Sequence, residues 1–599
     1  MEKRKKGKTD PAVGQKRRKI LPWAASLLAL AAGVSAAAIL PGRKRSLSVF
    51  EEKAALLRAE ALAEGTRLEL GVDPAGTAGY VVFLSVCDST QRADVYHQRG
   101  STVEEAWDGA VKEAGKQIMR SGLEPVWVKA DLVYLSEEIS AKELSGALKA
   151  SCQEFFRYGV AFDLDYGTAL LEAELNGAKI YDYENGGVDL DALDRYLKEA
   201  GERTLEALPG SYTLFQCMGW LCDGDDGVYA LSASGLDYGR RRPEIIDGDY
   251  VEGLILKASA FLERQIKEDG TFIYGLYPRF DNEIENYNIV RHASTIWSLL
   301  CRYRIAPSQE LAEHIDQTVG YLLSQIVYKD EDTAYLYEEK DDEIKLGGCG
   351  VAVVALTEYM DLFQTDVHRE VCRKLGNGIL TMLDQESGVY QHVLNGDFSL
   401  KEEMRTVYYD GEATFALCRL YGLTGEQKWL DAAESAVEHF IRADYTQYKD
   451  HWVAYSMAEI TRYVTDRPDY YVFALDNVQR NQAEIYARDT TYHTYLELLM
   501  ATFELYDRLV QSGADVKGFD QEAFLKTIYA RADRMLNGYF YPEYAMYMAD
   551  PQRIVDTFMV RHDGFRVRID DVQHNIGGYY LYYKNYDKLV EYGMLECRD

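Results

Sequence analysis

From residue 249 onward the apolar positions recur every three to four residues, the period of a helix, in stretches of two alternating kinds. One kind sets a charged face against its apolar stripe, over residues 250–267, 308–326, 366–383, 426–441, 469–485 and 521–536. The other is rich in small and apolar residues, over 288–303, 347–363, 408–421, 451–464, 491–510 and 572–583. A helix with little polar surface is buried on most sides, so the pattern predicts six outer helices alternating with six inner ones. Antiparallel pairs that share an apolar face stack on their neighbours, and six pairs can close into a ring, an (α/α)6 toroid over residues 246–599. The unit at 407–430 shows the plan. Asp410 and Glu412 open a helix, Phe415, Ala416, Leu417 and Leu420 form its stripe, and Gly422 and Gly425 bracket the turn into the next.

Upstream the period changes. Strands at 80–86 and 126–135 alternate with helices at 103–119 and 141–155, and short strands with Gly/Asp turns continue to residue 245. After a charged helix at 50–64, this reads as a smaller α/β domain within 41–245. It carries no phosphate loop, nucleophile elbow or metal spacing, and its cluster of Asp88, Arg92, Asp94 and His97 reads as a solvated loop. Residues 20–40 hold no charge and, at ~1.5 Å per helical residue, reach ~30 Å, the hydrocarbon thickness of a bilayer. This is the transmembrane helix of the reading. The basic leader 1–19 predicts a cytoplasmic N-terminus, with residues 41–599 extracytoplasmic. Cleavage at the small residues Ser35, Ala36 and Ala37 is the alternative; the long apolar run and long leader favour an uncleaved anchor.

Composition narrows the partners. A net charge of -31 argues against nucleic acid and against an anionic membrane surface as general partners, because both need a basic field. Nine cysteines lie scattered with no CxxC pair and no Cys/His cluster, so neither a metal site nor a disulfide framework is indicated, and no cofactor is expected. Tyr outnumbers Phe by 46 to 20, and a ring bearing a hydroxyl suits stacking on sugars as well as ordinary packing.

Alternation makes the inner helices parallel, so their N-termini share one mouth, and that mouth is polar. It receives Asn288, Arg291 and His292; Tyr408, Tyr409, Asp410 and Glu412; Asp450, His451 and Trp452; Arg488, Asp489, Tyr492 and His493; and Asp570, Asp571 and His574. A cap needs one small polar residue, whereas these helices bring Arg, His, Trp and Tyr to the same end.

The segments YYDGEATFALCRLYGLTG, DHWVAYSMAEI and YNIVRHASTIWSLL, set in this alternation, resemble the six-hairpin glycosidase superfamily over residues 245–590. The resemblance implies an (α/α)6 toroid serving hydrolases, uronate lyases or sugar epimerases, and it names no single substrate. Hydrolysis needs a protonated and an ionised carboxyl across the scissile bond. Asp410 with Asp450 or Asp571 is the expected pair, with Glu412 as the alternate. Arg291, His292 and Arg488 are expected ligand contacts, and Tyr409, Trp452 and Tyr492 stacking surfaces. Tyr408 and His574 complete the substrate-binding set. A lyase or epimerase would instead use Tyr409, Tyr492, His451 or His493 as base, with an arginine neutralising a uronate. A glycan-binding or assembly protein that keeps the ring as a scaffold is the non-enzymatic alternative.

Overall fold

In a computed structural model the described residues are 23–67, 79–224 and 227–597, with backbone alone for 23–39 and 65–67. The chain is mainly helical. The predicted membrane-spanning run starts outside the described residues; from Trp23 a single helix runs to Arg67, passing through Pro41.

The alternation seen in the sequence becomes two concentric rings. The inner helices are Ile289–Ile305, Leu346–Phe363, Tyr408–Thr424, His451–Ile460, Thr494–Ser512 and Ile569–Glu591. The outer helices are Gly248–Arg264, Gln309–Ser324, Arg369–Thr381, Gln427–Arg442, Pro468–Gln479 and Gln521–Met535. Each inner helix packs on the next, and the sixth packs back on the first, which closes the ring. Outer helices bury one stripe, as Arg369–Thr381 does with Cys372, Leu375, Gly376 and Ile379. Inner helices are buried nearly all round. Among the described residues one helix, Leu346–Phe363, is long and apolar enough to cross a membrane, and it is the second inner helix, largely buried by its neighbours. Glycines set the inner spacing: a Cβ on Gly350 would stand 2.7 Å from the Glu412 carbonyl oxygen, and one on Gly411 would stand 2.6 Å from Trp452 Cβ.

The outer helix expected over 469–485 is two pieces, Pro468–Gln479 and Gln482–Ala487. Asn481 sits at the break, and its amide donates to the carbonyls of Thr446 (2.7 Å) and Asn477 (3.0 Å). Short strands gather at the mouth. Gly275–Tyr277 pairs with Asn282–Glu283 and with Val567–Arg568, so the first and last hairpins are tied by a sheet as well as by helices.

The α/β domain is one antiparallel sheet in the order Asp94–Gly100, Tyr80–Cys87, Trp127–Ser140, Ser211–Cys222, Gly159–Ala161, Ala169–Leu170. The helix expected over 141–155 ends at Ala150, and the backbone turns sharply at Glu154 (φ 60°). The twelve-residue strand Ser211–Cys222 and the helices Glu172–Gly177 and Leu190–Glu199 are additions to the short strands expected there. Strand alternation divides the sheet between two cores. Val82 and Leu84 pack under the helix Val103–Ser121 and the C-terminal half of the long N-terminal helix, whereas Val81, Phe83 and Phe215 belong to the core of the ring.

That second face seats the domain on the connection 536–568, which leads into the sixth inner helix. Ser85 Oγ and the Tyr547 hydroxyl lie 2.8 Å apart, and the Ala93 N–H donates to the Met546 carbonyl at 2.7 Å. Arg561, 2% exposed, donates to the Glu154 carbonyl (2.7 Å) and to Glu172 Oε1 (2.6 Å).

Candidate active site

A cavity of about 520 Å3 opens where the inner helices begin. Tyr408, Tyr409 and Glu412 enter it from the third inner helix, His451 and Trp452 from the fourth, and Asp570, Asp571 and His574 from the sixth. Arg291 comes from the first, and Tyr492 and His493 from the turn before the fifth. The second inner helix contributes no side chain at Gly347, where a Cβ would fall 1.8 Å from Glu412 Oε2. That glycine makes the room Glu412 occupies.

The two acids of the third inner helix part company. Residues two apart on a helix point about 200° away from each other, so Asp410 and Glu412 cannot share a face. Asp410 stands behind the cavity wall, 3% exposed, and accepts from His392 Nε2 (2.9 Å) and the Tyr445 hydroxyl (2.7 Å). His392 Nδ1 accepts from the backbone N–H of Arg405 at 3.1 Å, which makes Nε2 the protonated nitrogen and carries the chain from Asp410 to the loop beside the mouth. The expected role of Asp410 as a reacting carboxylate meets the obstacle that it does not line the cavity, its oxygens being turned to His392 and Tyr445. Glu412 lines the cavity, and its Oε2 has no hydrogen-bond partner among the described residues. Burial, then the nearby charges of Asp450 and Asp410, push its carboxyl well above the usual range against the pull of Arg291. Its neutral form is favoured more than that of an exposed glutamic acid.

Asp450 also stands outside the cavity wall, fully buried, its Oδ1 accepting from the Trp452 N–H at 2.9 Å as the cap of the fourth inner helix. Its carboxyl is raised chiefly by burial. His292 is a core residue between the Tyr287 hydroxyl (2.7 Å) and the Thr318 carbonyl (2.9 Å), lowered to about 4 by burial. Arg488 does not line the cavity; it donates to Thr490 Oγ1 at 2.9 Å and lies 4.3 Å over the ring of Tyr492. Tyr492 is held at φ 39°, a conformation unusual for a side-chain-bearing residue. Arg488 therefore packs on the ring of Tyr492, which itself lines the cavity.

Opposite Glu412 the charges are paired. Asp570 meets Arg291 Nε at 2.8 Å and also binds Arg568. Burial opposes its ionisation, but the two guanidiniums outweigh burial and bring it down to about 2. Asp571 accepts from Arg566 at 2.9 and 3.0 Å, yet burial and the adjacent Asp570 raise it to about 6. His574 Nδ1 lies 2.7 Å from Glu497 Oε2, and Glu497 Oε1 accepts from the Tyr455 hydroxyl at 3.1 Å. Burial would lower His574, but the Glu497 charge with Asp570 and Asp571 raises it overall. His493 stacks on His574 at 5.2 Å and is lowered to about 3 by burial. His451 is lowered well below its usual range, mainly by burial, and neither of its ring nitrogens has a hydrogen-bond partner among the described residues.

Three residues of the site were not singled out from the sequence: Glu497, Arg566 and Arg568. Glu497 had a signal, since it follows His493 by four residues and so shares its helix face. The Arg566-x-Arg568 spacing also placed both guanidiniums on one side of a short extended segment. His562, which counts as a fifth histidine near the mouth on the sequence, lines the cavity. Three arginines and two aspartates line the cavity beside Glu412, a gathering of cations in an acidic chain. His451, Glu497 and His574 also bring ligand atoms within 4.8 Å of one another, a trio that could hold a metal ion and that distant sequence positions concealed.

No protein-family model matches the sequence, and no curated protein matches it. Solved structures do. The chain is similar to a D-mannose isomerase at 13% identity, covering 57% of this chain and 100% of that one, with a TM-score of 0.42. It is similar to the cellobiose 2-epimerase from Bacillus thermoamylovorans B4167 at 12% identity, covering 56% and 99%, with a TM-score of 0.45. An unsaturated glucuronyl hydrolase specific for heparin matches at 10% identity over 57% and 98%, with a TM-score of 0.40. At this identity the likeness is one of fold.

Proposed function

We propose that this chain is a carbohydrate-active enzyme that hydrolyses a glycosidic bond in a polysaccharide of the cell envelope or its surroundings. Glu412 is the general acid and Asp571 the general base. The observation that carries the reading is the Glu412 carboxyl, which lines the cavity with its Oε2 unpartnered among the described residues; burial raises it well above the usual range. A carboxylic acid held neutral at pH 7 is what the leaving oxygen of a glycoside requires. The third and sixth inner helices are opposed in a ring of six, so Glu412 and Asp571 approach a bound sugar from opposite sides. Opposed carboxyls flank the bond in inverting and retaining enzymes alike; the reading takes the inverting form, in which Asp571 activates a water on the far face. Arg566 holds Asp571 in place, Arg291 and Arg568 fix Asp570, and Tyr409, Trp452 and Tyr492 offer stacking faces.

A second reading has its own observation. His574, oriented by Glu497 and facing the neutral His451, is a proton-transfer dyad, and the arginines could neutralise a uronate beside it. That arrangement serves a lyase or an epimerase. A polysaccharide and oligosaccharide panel, digested in 18O-water and followed by mass spectrometry and proton NMR, separates the three. Hydrolysis shortens the chain and places one 18O at the new reducing end, with the inverted anomer appearing first. An unsaturated ultraviolet-absorbing product, or an isomer of unchanged length that takes deuterium from D2O, would replace hydrolysis with the second reading.

The basic leader and the apolar run 20–40 support a single-pass anchor in the lipid bilayer with the ring outside the cytoplasm. Protease added to intact cells then digests the ring; full protection until lysis would reverse the topology.

A further inference from the structure

The ring has a second cavity, of about 300 Å3, at the opposite end of the inner helices. It is separated from the first by the rings that plug the bore: Trp297 lines this cavity, Trp452 lines the other, and the two indoles stack at 5.8 Å. Phe415 and Tyr455, stacked at 5.5 Å, complete the plug on this side.

Charge pairing at this end leaves one cation over. Arg304 and Arg419 share Glu358 (2.6 and 2.9 Å), Arg462 pairs with Glu459 (3.1 Å) and Lys584 with Glu504 (3.0 Å). Arg508 makes no such pair among the described residues. Its guanidinium donates to the carbonyls of Ala458 and Glu504 and to Thr461 Oγ1 at 3.1 Å. Two buried polar side chains lining the same cavity also lack hydrogen-bond partners among the described residues, Ser298 at Oγ (residue 3% exposed) and Gln573 at Oε1 (1% exposed). Buried polar atoms of this kind are few in folded proteins and commonly mark a place where something polar binds.

We propose that this cavity is a second ligand site, and that it binds a sugar monoacid, with the carboxylate on Arg508, hydroxyls on Ser298 and Gln573, and the ring face on the Trp297, Phe415 and Tyr455 plug. The carboxylates of Glu358, Asp361, Glu459 and Glu504 disfavour a polyanion, and the one unmatched guanidinium selects a single negative charge. A hydroxyl-free aromatic acid would satisfy the charge and the plug but not the two polar groups. The site does not depend on the reaction at the other mouth.

The test is isothermal titration of the full chain in detergent with D-glucuronate, methyl glucoside, benzoate and citrate. Glucuronate binds, methyl glucoside and benzoate bind more than about tenfold more weakly, and citrate does not bind. Arg508→Gln weakens glucuronate by more than about tenfold. Because Arg508 also braces backbone carbonyls, Lys584→Glu at the exposed rim is the second variant; it weakens glucuronate and leaves methyl glucoside unchanged. No binding to the wild-type chain, equal affinity for benzoate, or glucuronate binding that survives both variants and is lost in Arg291→Gln would each overturn the proposal.

Discussion

The two ends of the ring are built from the same six helices and treat their carboxyls in opposite ways. At the C-terminal end Glu358, Glu459 and Glu504 each have a cation within 3.1 Å. At the N-terminal end Glu412 has none, and burial pushes its carboxyl well above the usual range. A helix N-terminus by itself favours an ionised carboxylate by about 0.3–1 kcal/mol, up to about 2 when partly buried. Burying an unpaired carboxylate costs several kcal/mol, so at Glu412 burial wins over the dipole. The difference teaches that the polar mouth is not simply a set of caps. One end of the ring leaves an acid unpaired, the other pairs its charges.

The largest expected effect falls on that distinction. Glu412→Gln lowers kcat by about 10²–10⁴-fold, the range for a general acid. It also leaves the melting temperature unchanged or higher, because it removes a carboxyl that the fold buries without a partner. Next comes pH. Asp571 must be ionised to act as base, so kcat/KM rises with pH through about 6, and Asp571→Asn removes that limb along with most of the activity. The stability sign runs the other way. The folded value lies above the ordinary 3.8, so the folded form binds the proton more tightly, and this contribution is complete below 3.8 and is lost as pH rises through about 6. Calorimetry of wild type and Asp571→Asn between these pH values checks it.

Gly347→Ala comes third. Its Cβ takes the place of Glu412 Oε2, which costs about 1–3 kcal/mol in chemical denaturation and lowers kcat by displacing the acid. At the paired end, Glu358→Gln strips Arg304 and Arg419 of their shared carboxylate and costs about 1–2 kcal/mol, the reverse of Glu412→Gln. Asp410→Asn is the smallest. It weakens the bonds to His392 and Tyr445, costs about 1 kcal/mol, and loosens the loop at Arg405, which hydrogen exchange reads directly. A loss of activity with Asp410→Asn as large as with Glu412→Gln would erase the distinction drawn between these two acids.

Much of the ring was legible in the sequence, because burial on all sides and burial on one side leave different patterns, and the pattern repeats six times. The location of the mouth followed from alternation alone. The choice between Asp410 and Glu412 did not. Both stand at the start of one helix, and which of them faces the cavity depends on the rotation of that helix, set by the approach of Gly411 to Trp452 and of Gly350 to the Glu412 backbone. Asp450 and His292 read as site residues because they are polar and near a helix start, yet both lie inside the wall, Asp450 as a helix cap and His292 between Tyr287 and the Thr318 carbonyl. Glu497 went unseen because its role is created by His574, 77 residues away. The seating of the α/β domain was hidden for a similar reason, since a two-faced sheet does not say what covers its second face. Arg561 now links that domain to the cavity wall, between Val560 and His562.

The most direct test needs no substrate. Carbon-13 NMR of the glutamate side-chain carboxyls, with Glu412→Gln used to assign the resonance, follows the protonation of this group across pH. The account predicts a Glu412 carboxyl still protonated at pH 7 and titrating only above it. A Glu412 that titrates near the ordinary glutamate value of 4.5 would contradict it.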